Sequence, residues 1–251
     1  MPRISDPAVV RAGLRQDPAW AAYALCDLSL DVWPKTQWFG PDLTLVLHDY
    51  GTCILFAMGT GSLAEALTAV TWPCHIQVQQ EAFDWLASGL TISHDREMWR
   101  MLKAEERKTA AGAFSQMVKR LEPADVPALK ALYADGDASG EAPDFFMPQT
   151  VADGAYCGVF EGQDLVAAAG THVLSRDEGA AAIGNVYTRR DRRGRGLARA
   201  VTAGVLERLD GVATVALNVR TDNAVALRVY ESLGFRRHCR FHEAVAHGPL
   251  C

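Results

Sequence analysis

Val186-Tyr187-Thr188-Arg189-Arg190-Asp191-Arg192-Arg193-Gly194-Arg195-Gly196-Leu197-Ala198-Arg199 is the stretch on which the reading of this chain turns. Its β-branched and aromatic start reads as the end of a strand, and two glycines then free the backbone to turn with positive φ. Leu197, Val201, Val205 and Leu209 follow at i+4 spacing, the mark of an amphipathic helix. A strand that turns through glycines into a helix presents unpaired N–H groups and the positive end of a helix dipole to an anion. Six arginines, at 189, 190, 192, 193, 195 and 199, stand against the single Asp191, an excess of five positive charges. Backbone and charge both point to a bound diphosphate.

Two other readings are weighed against it. The stretch lacks the Gly-Lys-[Ser/Thr] ending of a nucleotide-triphosphate loop, and no basic stripe or aromatic platform extends it as a nucleic-acid surface would require. A solvated basic turn without a ligand is the plainer alternative, and the agreement of glycine spacing with strand–helix placement speaks against it.

Outward from this turn the second half of the chain reads as β-α-β-β-β-α-β-α-β. Met117–Leu121 is a short strand, and Pro123 opens a helix with Val126, Leu129, Leu132 and Tyr133 on one face. Tyr156–Glu161, Leu165–Leu174 and Ala180–Thr188 are strand-like, the first two joined by a tight turn at Gly162-Gln163. Val212–Val219 is a further strand, and Asn223–Leu233 a helix ended by Gly234.

The first half is built differently. All six tryptophans lie in the first hundred residues, whereas 14 of the 21 glycines lie after residue 116, and residues 104–112 read as a linker. The division predicted is an N-terminal domain over 1–111 and a second over 112–251. Leu43–Leu47, Cys53–Met58 and the alternating Cys74–Gln80 read as strands, Ser62–Val70 as a helix, and Arg96–Lys103 as either. The expectation is an α/β (α+β) protein.

The 251 residues and 49% hydrophobic content suit one or two folded domains. A net charge of −5 excludes a uniformly basic nucleic-acid-coating protein, and no stretch is long and apolar enough to span a membrane. The start shows no secretory pattern and the six cysteines show no C-x-x-C spacing, so a cytoplasmic protein with idle thiols is expected.

Arg193-x-x-Gly196-x-Ala198, followed by Asn223-(x)6-Tyr230-(x)3-Gly234-Phe235, resembles the signature pair of the GNAT superfamily of acyl-CoA N-acyltransferases, particularly its glycine N-acyltransferase-like branch. The resemblance covers residues 115–245. It implies a GNAT fold for residues 112–251, with a mixed central sheet flanked by helices. For residues 1–111 it suggests a smaller α/β domain of unknown role, or a worn, non-catalytic copy of the same fold. Acetyl-CoA, or another acyl-CoA, would then lie with its diphosphate on Arg193, Gly194, Arg195, Gly196, Leu197 and Ala198. Its pantetheine arm would pair with Val186, Tyr187 and Thr188 and approach Asn223, and Tyr230 would protonate the departing thiolate. The acceptor would be a small-molecule amine, with a protein N-terminus or lysine as further options. Neither metal, nucleic acid nor membrane is expected as a partner, and the chain would be a monomer or homodimer. A CoA-binding sensor without catalysis is the alternative.

Asn223 and Tyr230 also have plainer roles, as a helix N-cap and as an aromatic packed on Phe235. A neutral amine must lose a proton on attack, yet Ala180–Val186, where relatives often carry a catalytic glutamate, has no carboxylate. His172 and Glu161 are candidates and the base is left unassigned. Gly59-Thr60-Gly61 with Glu81 superficially fits a dinucleotide fingerprint, and His238 with His242 a metal pair. Strand positions four apart are about 13 Å distant, too far to share an ion.

Overall fold

The computed structural model describes residues 3–49, 51–104, 117–137, 140, 142–143 and 146–250. Two compact units divide the chain: Met1–Met101 with Val219–Asn223 and Arg237–Cys251, and Leu102–Asn218 with Ala224–Arg236. The linker expected near residue 110 lies among 105–116, outside the described residues.

The first unit is built from β1 (Arg3–Ile4), α1 (Pro7–Leu14), α2 (Ala22–Cys26), β2 (Thr36–Phe39), β3 (Thr44–Asp49), β4 (Thr52–Ala57), α3 (Leu63–Ala66), β5 (Cys74–Val78), α4 (Gln80–Ala87) and most of β6 (Leu90–Lys103). Leu45, Val46 and Leu47 are all buried, as a strand covered on both faces requires, whereas β5 alternates buried with half-buried residues. Arg96–Lys103, ambiguous in the sequence, is strand: it is the second half of the 14-residue β6. What settles it is ladder pairing with a distant segment, which periodicity over eight residues does not report. The predicted helix at Ser62–Val70 is one α-helical turn followed by a 3₁₀ turn over Leu67–Ala69.

The second unit contains β7 (Val118–Arg120), α5 (Val126–Asp137), α6 (Thr150–Asp153), β8 (Cys157–Glu161), β9 (Asp164–Ser175), β10 (Ala180–Thr188), α7 (Leu197–Arg208), most of β11 (Thr214–Arg220) and α8 (Ala224–Ser232). The last strand, β12 (Phe235–Pro249), returns from Arg237 onward to the first unit, where it pairs antiparallel with β5. Strand order in the second unit is β11-β10-β9-β8-β7, with β10 and β11 parallel and the remaining pairs antiparallel. Only α6 is absent from the order read in the sequence. Buried Leu197, Val201 and Val205 anchor α7. The β10–β11 ladder runs from Ala180↔Thr214 to Ile183↔Leu217, and among the described residues β10 continues past it to Thr188 without a partner on that side.

Among the described residues no helix is long and apolar enough to cross a membrane. Cys26, Cys53, Cys74 and Cys157 are buried and form no disulfide among the described residues.

Candidate functional site

The site starts where β10 runs out. Beyond Thr188 the chain makes a 3₁₀ turn at Arg190–Arg192, then passes Gly194 at φ +76° and Gly196 at φ +79° before α7 begins at Leu197. Both glycines adopt the left-handed conformation that the sequence reading required of them. A Cβ placed on Gly194 would meet nothing within 4 Å, so the backbone there faces open space. The first amides of α7 have no acceptor within the helix. At the strand end the buried Thr188 hydroxyl has no hydrogen-bond partner among the described residues. A free ladder edge, an orphaned hydroxyl and a glycine turn into a helix fit an extended amide-containing arm that ends in a diphosphate.

The arginines are less free than their count along the chain suggests. Arg189 pairs with Asp191 at 2.8 Å and with Asp164 at 3.3 Å; Arg192 pairs with Asp191 at 2.6 Å and with Glu161 at 2.7 Å. Glu161 also meets Arg195 at 3.6 Å, and Asp135 lies 3.6 Å from Arg190. Counting the three acids that fold against the turn reduces its excess of positive charge from five to two. Such half-exposed pairs contribute little stability each, roughly 0–1 kcal/mol, and their effect is to shape the loop. Arg193 turns back instead: its Nε donates to the Thr188 carbonyl at 3.2 Å, and its guanidinium lies 5.6 Å from the Tyr187 ring centre. Tyr187 donates its hydroxyl to Asp135 at 2.9 Å. The Asp135 carboxyl is held below its ordinary pKa, first by the Arg190 N–H and then by this hydroxyl. The side chain of Tyr187 is therefore committed to α5, and its backbone is the part left for a ligand.

Tyr230 lies buried on α8, 6.1 Å from the Phe235 ring and at 67° to it. Burial alone pushes its hydroxyl up to about 12. The packing contact expected of a plain aromatic is present. Asn223 is exposed immediately before α8, with its N–H donating to the Arg220 carbonyl at 3.1 Å.

Sequence reading missed the polar cluster behind β10. Asn185, buried at φ +53°, donates its Nδ2 to the Tyr156 hydroxyl at 2.7 Å, and its Oδ1 lies 3.2 Å from His172 Nε2. Tyr133 donates to the Asn185 carbonyl at 3.0 Å. The one clue available was Gly184 interrupting an apolar strand, a sign of a bulge or of close approach. Packing there is tight: a Cβ on Gly170 would fall 2.2 Å from the Tyr156 ring. Gly170→Ala should therefore cost about 1–3 kcal/mol, since the ring has to move. Chemical denaturation of both forms would measure it.

The two decoys resolve in the first unit. Gly61 gives its N–H to the Asp42 carboxylate at 2.7 Å, which puts a negative charge where the fingerprint would need a phosphate. His238 meets Asp17 at 2.9 Å, while His242 lies between Asp95 at 2.7 Å and Gln80 at 3.0 Å. Each histidine has its own partners.

Residues 124–235 match the model of the acetyltransferase (GNAT) family. No curated protein matches the sequence at a significant level. Among solved structures, a Drosophila protein is similar with a TM-score of 0.72 at 13% identity, covering 98% of this chain and 97% of its own. A GNAT-family acetyltransferase structure from Novosphingobium aromaticivorans matches with a TM-score of 0.62 at 20% identity, over 82% of this chain and 88% of its own. A GCN5-related N-acetyltransferase from Kribbella flavida gives 0.59 at 19%, over 90% and 95%. At these identities the structures establish the mixed α/β fold, and within it residues 124–235 are similar to the acetyltransferase (GNAT) family model.

Proposed function

We propose that this protein is an acyl-CoA-dependent N-acyltransferase that moves an acetyl group from acetyl-CoA to a primary amine by direct attack. The observation that carries this reading is the β10 edge left open beyond Ile183, running into the left-handed Gly194–Gly196 turn and α7. In this reading Arg193, Gly194, Arg195, Gly196, Leu197 and Ala198 hold the diphosphate through backbone amides and charge. Val186, Tyr187 and Thr188 pair with the pantetheine amides, and Asn223 approaches the same arm. Acetyl-CoA supplies the activated acyl group. The paired motifs favour the glycine N-acyltransferase-like branch; the acceptor is taken as a small-molecule amine, with a protein N-terminus or lysine as further options, and the setting as cytoplasmic. The functional border between a second, N-terminal domain and this one is placed near residue 111.

Tyr230 serves the leaving group. A phenol near 12 keeps its proton throughout the neutral range, and handing it outright to a thiolate of pKa about 8.5 is uphill. Its contribution is the hydrogen bond that strengthens as negative charge gathers on sulfur.

Titration calorimetry with acetyl-CoA and longer acyl-CoAs tests the reading. Saturable binding by the folded protein, followed by thiol release when amines are added, is expected; a folded protein that binds no acyl-CoA ends it. Tight binding without turnover on a broad amine panel would instead indicate a CoA sensor.

A further inference from the structure

We propose that Cys53 and Cys74 form a redox-modification site, in which a hydroperoxide oxidises Cys53 and Cys74 then closes a disulfide with it. The site lies in the first unit, is independent of the acyltransferase reading, and replaces the expectation that these thiols are idle.

Strand register puts the two thiols side by side. Cys53 on β4 is the direct partner of Cys74 on the parallel β5, and across the other edge of β4 it is the direct partner of His48 on β3. Directly paired residues share a face of the sheet, and both cysteines belong to the apolar cluster built with Leu55 and Ile76. Neighbouring strands run about 4.8 Å apart, inside the Cα separation of about 4.4–6.8 Å that a disulfide spans. Closing the bond therefore needs no change of register. A row of His48, Cys53 and Cys74 also invites a metal reading, but among the described residues no group of three histidine, cysteine or carboxylate side chains is placed to hold an ion.

The surroundings make the two thiols unequal. The hydrogen bond from the Cys74 thiol draws Cys53 below the ordinary thiol range against the opposing pull of burial, and the Thr71 N–H, His48 and the Thr71 hydroxyl add to it. Cys74 is pushed up by the same bond and then by burial, and its thiol has a second acceptor in the His75 carbonyl at 3.6 Å. Cys53 is thus the thiolate that attacks first, and Cys74 the thiol that follows. Burial pushes Cys157 and Cys239 up to about 11, which keeps both protonated. Cys53 is only 2% exposed, yet its cover is thin: Thr71, which bonds to its sulfur, is exposed, and His48 is half-buried. The His48 Nε2 is buried with no hydrogen-bond partner among the described residues, so it can bond a small protic molecule that reaches this row.

The chemistry balances in two steps. The Cys53 thiolate attacks an oxygen of the hydroperoxide, the O–O bond breaks, and the departing alkoxide or hydroxide takes a proton from water, leaving a sulfenic acid on Cys53. The Cys74 sulfur, shedding its proton, then attacks the Cys53 sulfur; the S–O bond breaks and the hydroxide leaves as water. The peroxide gains the two electrons that the thiol pair loses, and a dithiol reductant restores both thiols.

Full-length wild type is treated at pH 7 with hydrogen peroxide near its own concentration, alkylated, and digested without reduction. Mass spectrometry should find one peptide pair joining Cys53 to Cys74, two hydrogens lighter than the separate peptides and lost on reduction with dithiothreitol. Cys53 should react about 10-fold or more faster than Cys157 or Cys239, as its thiolate fraction dictates. The rate should rise with pH through a midpoint below the usual thiol value of about 8.5, which a thiol merely packed in the core would not show. In Cys74→Ser, dimedone should trap the sulfenic acid on Cys53; in Cys53→Ser, Cys74 should give no adduct. Cys53 and Cys74 left reduced while another thiol is oxidised, a bridge only between two chains, or a bridge formed only in denaturant overturns the assignment. Each of these is read on the wild type, so the outcome stands even if neither variant folds.

Discussion

Tyr230→Phe should lower kcat by about 10²- to 10³-fold while acetyl-CoA binds with wild-type affinity, the loss typical of removing one donor aimed at developing charge. The change deletes a single oxygen. The ring stays against Phe235, where centroids 6.1 Å apart at 67° make a favourable edge-to-face contact that phenylalanine reproduces. Thermal stability should therefore move little, and a fall in kcat would report chemistry rather than damage. Thiol release under saturating acetyl-CoA gives kcat, and calorimetry gives the affinity. Wild-type kcat in the variant would leave Tyr230 as a packing residue and remove it from the mechanism.

A second large effect is expected at Gly196, whose φ of +79° a β-branched residue adopts only at a cost of about 1–3 kcal/mol. In Gly196→Val the turn would relieve that strain by rotating, and the amides at the start of α7 would no longer converge on one point. Losing two charge-assisted hydrogen bonds of about 1.5–3 kcal/mol each should raise the acetyl-CoA dissociation constant at least 10²-fold. Gly211→Val is the control. It sits at the same φ of +79°, just beyond the opposite end of α7, with nothing within 4 Å of a new Cβ. It should carry the same strain and leave the affinity alone. Equal affinity losses in the two variants would mean that strain, and not the diphosphate cradle, is what binding senses.

The elements legible in the sequence are those specified within a few residues. Leu197, Val201 and Val205 repeat at helical spacing, and α7 forms where they say, because the apolar stripe and the glycine before it are both local. β10 was bounded correctly at Ala180 and Thr188 for the same reason. Arg96–Lys103 was not settled, because its strand conformation depends on hydrogen bonds to a segment more than a hundred residues away. Asn185 was overlooked because its value lies in a bulge, and a bulge is a mismatch between two strands that neither strand shows alone.

By itself, then, the sequence determined the β–turn–α unit at residues 186–199, the two left-handed glycines within it and the motif pair that resembles an acyltransferase. Only the tertiary structure decided the electrostatics and the side-chain partners around that unit. Glu161, Asp164 and Asp135 reach the arginine turn from β8, the start of β9 and α5, and lower its charge excess. Likewise His172 and Asn185, thirteen residues apart, become partners only when β9 and β10 pair out of step. Backbone turns are set by neighbours along the chain, whereas charge and protonation follow whatever the fold places within a few ångströms, and that distance is not written in the order of residues.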